Sequence, residues 1–180
     1  MWVATYPRMA NEQTNTGDKA EQHFLEILKG FDQAMLVTHG AAIGLHGRPM
    51  TIADTDRDGS IWFITGEDTA KVYELEKDTA MLAVMQSAAK SLSVGGRAEL
   101  RRDRAKIEAV WKETFRAWFK GKDDPNIVLI RLNPIEAEYW DNSGLQGMKF
   151  ALKFAKAVVS GKPLSHGDEG DIDAHAKVRL

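Results

Sequence analysis

The chain contains no cysteine, which excludes disulfides, thiolate metal sites and thiol nucleophiles together. It has no apolar run approaching the length of a bilayer span, so no membrane-spanning helix is expected. Residues 1–18 offer neither a basic leader nor an apolar signal core, and no standard secretory signal is expected. These absences fit a cytoplasmic protein. A strong charge of one sign is missing too. The 24 Lys and Arg stand against 26 Asp and Glu with the signs interspersed, so no phosphate-backbone footprint and no nucleic-acid partner is expected. The histidines lack metal-ligand spacing: His23 falls on a helix, His39 and His46 flank a loop, and His166 and His175 lie near the end of the chain. No metal site is expected, and no Ser-His-Asp order or carboxylate pair stands out.

What is present is enough for one core. A chain of 180 residues is too short for two full domains. Residues 1–17 read as a flexible tail, 18–141 as the folded domain, 142–160 as a helical extension and 161–180 as a second flexible tail. From Asp18, the spacing of Phe24, Ile27, Leu28 and Phe31 predicts an amphipathic helix closed near Gly30. Short apolar runs then predict antiparallel strands over 33–38, 47–53, 61–65, 79–86 and 91–100, with Asp58-Gly59 as a hairpin turn. Gly95-Gly96 implies a bulge or a close approach. A short helix is expected from Asp68 or Thr69 to about Lys77. Another starts at Asp103 and carries Ile107, Val110, Trp111 and Phe115. Strands over 126–132 and 135–140 follow, divided at Pro134. A basic amphipathic helix from Leu145 to Val159 bears Lys149, Lys153 and Lys156, with Lys162 after it; it reads most simply as a solvated face. The fold class is therefore α+β: a small antiparallel barrel of six to seven strands with peripheral helices.

Two stretches carry chemistry. In His46-Gly47-Arg48-Pro49-Met50-Thr51, Pro49 removes a ladder donor and marks an opening in a sheet. Gly47 would admit a ligand close to the backbone. Arg48 offers a planar fork suited to phosphate, and backbone groups of Met50 and Thr51 suit the edge of a planar heterocycle. Taken alone, Arg48 is more simply an arginine on a solvated edge. In Thr65-Gly66-Glu67-Asp68-Thr69-Ala70-Lys71 a strand ends and a helix begins, where free N–H groups favour an anion that Thr69 and Lys71 could reach. Thr69 as a plain cap, with Lys71 in water, explains that stretch equally well. The two stretches flank one hairpin and strengthen each other. His46 is the best candidate for a general acid or a polar substrate contact.

The order Arg48-Pro49-Met50-Thr51, Trp62-Phe63-Ile64-Thr65, Thr69-Ala70-Lys71 resembles the general-stress-protein branch of the pyridoxamine-phosphate-oxidase-like flavoproteins. Gly96-Arg97-Ala98-Glu99-Leu100 and Ile135 to Trp140 belong to the same resemblance, which spans roughly residues 20–140. It implies an FMN-binding split barrel and a homodimer with flavin sites at the subunit interface. It assigns the phosphate to Arg48, Thr69 and Lys71, the ring to Met50 and Thr51, and backbone contacts to Ile64 and Thr65. Trp140 would reach the site of the neighbouring subunit, or else pack at a barrel end. The Arg-x-His signature of true pyridoxamine phosphate oxidases is not found in residues 141–180, which argues against vitamin B6 oxidation. The expected function is an FMN-dependent oxidoreductase acting with a small-molecule redox partner, with a role in stress response. The alternatives are a non-catalytic FMN-binding, storage or sensor protein, and a barrel that takes deazaflavin or haem instead.

Overall fold

The computed structural model describes residues 18–40, 44–143, 152, 156, 159–161 and 175–180. The 1–17 tail, Lys149 and Lys153 of the expected basic helix, and Lys162 after it lie outside the described residues. Leu152, Lys156, Val159 and Ser160 are helical and exposed. The elements run α1 (Asp18–Leu28), β1 (Gln33–Gly40), β2 (Gly44–Thr55), β3 (Ile61–Gly66), α2 (Ala70–Lys77), β4 (Ala80–Gln86), β5 (Lys90–Arg101), α3 (Arg104–Val110), a 3-10 turn (Glu113–Ala117), β6 (Ile127–Asp141) and β7 (His175–Arg179).

The strands form one antiparallel sheet in the order β3-β2-β1-β4-β5-β6-β7, and β6 also pairs with β3. Six strands thus close on themselves and β7 is added outside, an α+β split barrel. Closure follows from alternation: in β1, Ala34, Leu36 and Thr38 turn inward while Gln33, Met35 and His39 turn out. Leu36, Phe63, Met85, Leu92, Ile130 and Leu132 fill the interior, and Phe24, Ile27 and Leu28 of α1 pack onto it. Every residue of β3 is buried. Its outward side chains Trp62 and Ile64 join Ile107, Val110, Phe115, Ile127 and Leu129 in a second cluster beneath α3 and the 3-10 turn.

Two glycines are required. Gly59 has φ +79 in the β2–β3 turn, with the Phe24 ring 2.7 Å from where a Cβ would stand. Gly96 sits at the expected bulge, where the register jumps from Gly95↔Glu136 to Gly96↔Pro134. A Cβ there would lie 2.0 Å from the Asn133 carbonyl oxygen.

Three sequence expectations are corrected. The two late strands are one, because Pro134 stands in β6 between the last residue paired with β3, Leu132, and the first paired with β7, Glu136. A residue without an N–H is tolerated in that gap. The helix from Asp103 is capped as expected, Asp103 accepting from the Lys106 N–H at 3.1 Å. It stops at Val110, however, because Trp111 is extended (φ −61, ψ 130), and its ring meets Phe115 on the separate turn at 5.8 Å. Finally, residues 175–179 of the expected 161–180 flexible tail form β7, which buries Val178 in the core. The alternation there is too short to stand out against its polar flanks.

Candidate functional site

The ladder between β2 and β3 begins at the hairpin with Thr55↔Ile61 and Asp54↔Trp62, skips one residue and ends at Ile52↔Phe63. Beyond that pair the strands part. Arg48 to Thr51 remain on β1, through Leu36↔Arg48 and Gln33↔Thr51, while Ile64 to Gly66 remain on β6. The fork so formed opens a cleft of about 450 Å³, within the range of small-ligand sites. Pro49 lies on one arm of the fork, as expected of a residue that marks an opening in a sheet.

Arg48, Pro49, Met50, Thr51, Ile64, Thr65, Thr69 and Lys71 all line this single cleft. Sequence reasoning missed Gly66, Asp68, Phe115, Trp118, Phe119 and Asn126, which line it too. The aromatic run from Phe115 to Phe119, just before a Gly- and Asp-rich loop, was the available signal for three of them. Trp118 is 70% exposed, so the cleft has one cationic end and one open aromatic wall. Gly47 does not line it; a Cβ there would make ordinary contact with Met35, at 3.5 Å from its Sδ, and with Val37. Trp140, on β6, pairs with Ser91 of β5 and His175 of β7 and is not part of the cleft of its own chain. His46, His39 and His23 do not line it either. His46 faces Glu74, His39 faces Asp78 and His23 faces Asp141.

The two cations differ in what surrounds them. Cross-strand pairs Leu36↔Arg48 and Thr38↔His46 put Arg48, Thr38 and His46 on one sheet face, and α2 presents Glu74 to all three. Arg48 donates through Nη1 and Nη2 to Glu74 Oε2, both at 2.9 Å, and through Nη1 to Thr38 Oγ1 at 3.0 Å. Thr38 donates to Glu74 Oε2 at 2.6 Å, and His46 Nδ1 to Oε1 at 2.6 Å. Burial alone would push the Glu74 carboxyl up, but the bonds from Arg48, Thr38 and His46 outweigh it and bring it down to about 2.

Lys71, in contrast, donates to a hydroxyl, Thr65 Oγ1, at 2.8 Å. Thr69 Oγ1 gives its one proton to the Gly66 carbonyl at 2.8 Å. The Thr65 hydroxyl, 3.2 Å from Thr69 Oγ1, must therefore donate to Thr69. The relay Lys71 to Thr65 to Thr69 to Gly66 brings no negative charge to the ammonium. Among the described residues no carboxylate lies within ion-pair distance of it. Burial, and then the neighbouring Arg48, pull the Lys71 ammonium below its ordinary value. Thr69 occupies the helix N-cap position without a capping bond from its side chain. Opposite these groups, Asn126 Nδ2 donates to Asp68 Oδ1 at 3.1 Å and the Glu67 N–H to the Asn126 carbonyl at 2.8 Å, pinning the loop before α2 to the start of β6.

The sign of the Glu74 effect on stability follows from its depressed folded value. Its contribution is complete above the unfolded-chain value near 4.3 and is lost as pH falls towards about 2. The size is about 3 kcal/mol. Unfolding curves between pH 5 and about 2 should therefore be flatter for Glu74→Gln than for the native chain. Parallel curves would show that Glu74 is not held this way.

A family model described as pyridoxamine 5'-phosphate oxidase like matches residues 19–165. The chain belongs to that family. It is 27% identical over 95 residues to general stress protein 26 of Bacillus subtilis, a match covering 49% of this chain and 66% of the relative. A solved structure named the general stress FMN/FAD binding protein of Xanthomonas citri is 30% identical, with TM-score 0.61, covering 71% of this chain and 92% of that one. General stress protein 26 of Bacillus anthracis shares the fold at 20% identity and TM-score 0.61, covering 67% of this chain and 92% of that one. No helix among the described residues is long and apolar enough to cross a membrane.

Proposed function

We propose that the cleft binds FMN and that the protein is a flavin-dependent oxidoreductase acting on a small molecule in the cytoplasm. The observation that carries this reading is Lys71, a half-buried ammonium held by a hydroxyl beside a fork of two strands. A phosphate would supply the missing negative charge. In this reading Arg48, Thr69 and Lys71 hold the phosphate, and Thr69 does so by turning its proton from the Gly66 carbonyl. Backbone groups of Met50, Thr51, Ile64 and Thr65, on the two arms where the β2–β3 ladder has stopped, meet the hydrogen-bonding edge of the ring. Trp118 and Phe119 supply an apolar wall. The bound flavin would contribute hydride or single-electron transfer, while the chain orients it and excludes water.

A second copy of the chain belongs to the proposal. The outer face of the sheet carries a shallow groove lined by Val37, Leu45, Leu82 and Ile135, with Leu45 and Ile135 at least half exposed, the kind of patch that marks an interface. Trp140 would approach the partner's cleft from this assembly.

A second reading, binding without turnover, is favoured by one observation: the ionisable groups lining the cleft are Arg48, Asp68 and Lys71, and His46 is engaged by Glu74. Titrating the purified protein with FMN and recording the visible spectrum tests both readings. Perturbed flavin bands at micromolar protein are expected, and unchanged bands would overturn flavin binding. Reoxidation of bound reduced flavin by a small acceptor faster than free FMN supports turnover; equal rates favour binding alone.

A further inference from the structure

Glu74 is unexplained by phosphate binding. A carboxylate placed 2.9 Å from a phosphate-binding arginine opposes the anion that the arginine is there to hold. It is also strongly retained: its side chain is 11% exposed and receives bonds from Arg48, Thr38 and His46. Both terminal nitrogens of Arg48 go to a single oxygen, Oε2, so an incoming phosphate meets a guanidinium already engaged. Lys71, by contrast, has no carboxylate within ion-pair distance among the described residues and is held by the Thr65 hydroxyl. We propose that Glu74 is an internal competitor for Arg48, a specificity-determining residue that holds the affinity for a phosphate-bearing ligand below what Arg48 and Lys71 would give together.

The rest follows from charge. Arg48 and Lys71 bring two positive charges to the cleft, and two carboxylates stand against them, Asp68, which lines it, and Glu74, which holds Arg48. A phosphate monoester near neutral pH carries more than one negative charge, so the site is under-matched to its ligand. Such a site releases its ligand readily, which suits a flavin that is exchanged as a substrate or carried, not one retained through many turnovers. Neutralising Glu74 leaves Arg48 without a counter-charge, and an anion becomes the group that restores it.

The inference rests on the phosphate reading of the cleft, and its test separates the two. The Kd values of FMN and riboflavin are compared for the native chain, Glu74→Gln and Glu74→Asp. Glu74→Gln should bind FMN on the order of tenfold more tightly, with riboflavin unchanged. Glu74→Asp, whose carboxylate is drawn back by one methylene, should fall between. Glu74→Gln should also melt lower than the native chain without ligand, with the gap narrowing once FMN is added, a response that a purely structural role does not give. Weaker FMN binding in Glu74→Gln, or an equal change for riboflavin, overturns the inference while leaving the flavin reading intact. If Glu74→Gln fails to fold, Glu74→Asp carries the same comparison. If the native chain binds neither flavin, the flavin reading fails, and thermal protection by inorganic pyrophosphate decides: no gain in the variant over the native chain overturns the inference.

Discussion

Replacing Arg48 and Lys71 together with alanine is expected to weaken FMN binding by about a hundredfold while riboflavin loses little, because only FMN carries the phosphate. Each charge-assisted contact is worth about 1.5–3 kcal/mol. The lower end applies to both, since Arg48 shares its donors with Glu74 and Lys71 already donates to Thr65, and a combined loss of about 3 kcal/mol corresponds to roughly two decades in Kd. The exchange has a structural side effect. Alanine at 48 strands the Glu74 carboxylate in a largely buried position, and an uncompensated charge there costs stability. The test is therefore also made with Glu74→Gln added to the pair, which removes the stranded charge. Isothermal titration with both flavins gives the answer; equal weakening of the two would show that these cations do not hold the phosphate.

The second large effect belongs to the barrel. Phe63→Ala should lower the unfolding free energy by about 3–5 kcal/mol, a large part of the roughly 5–15 kcal/mol that holds a domain of ordinary stability. Phe63 is fully buried in the barrel interior, on a strand whose other face is buried as well, so neither side of β3 can collapse into the space left behind. Chemical denaturation should show a lower midpoint at unchanged slope. A shift smaller than 1 kcal/mol would mean that the interior is not close-packed around this ring.

Much of the site was legible because its parts are local. Pro49 in a strand and Thr69 before a helix are signals confined to a few residues, and the Asp58-Gly59 turn brings their two strands together over a short loop. Glu74 gave no such signal. On α2 it reads as one more polar residue of an amphipathic helix, and its significance arises only when the β1–β2 register sets Thr38, His46 and Arg48 on the face that α2 covers. Phe115, Trp118 and Asn126 reach the cleft from a segment some fifty residues further along the chain, and no period in the sequence records that approach. Trp140 shows the reverse limitation. Its strand was legible, but a role at a partner's cleft is a property of two chains.

β6 is the strand on which the order of assembly turns. It pairs with β5 along its length, with β3 through residues 127–132 and with β7 through residues 136–140. A nascent chain that has emerged only as far as β5 has the β2–β3 hairpin and α2, and with them Arg48 and Lys71. It lacks the strand that draws Ile64, Thr65 and Gly66 away from β2. The contacts that close the barrel join residues some seventy apart, and pairings of that sequence separation form slowly. On the proposed reading, ligand capture would thus be a report of finished folding: half a barrel owns the charged residues and lacks the fork that brings them to one cleft.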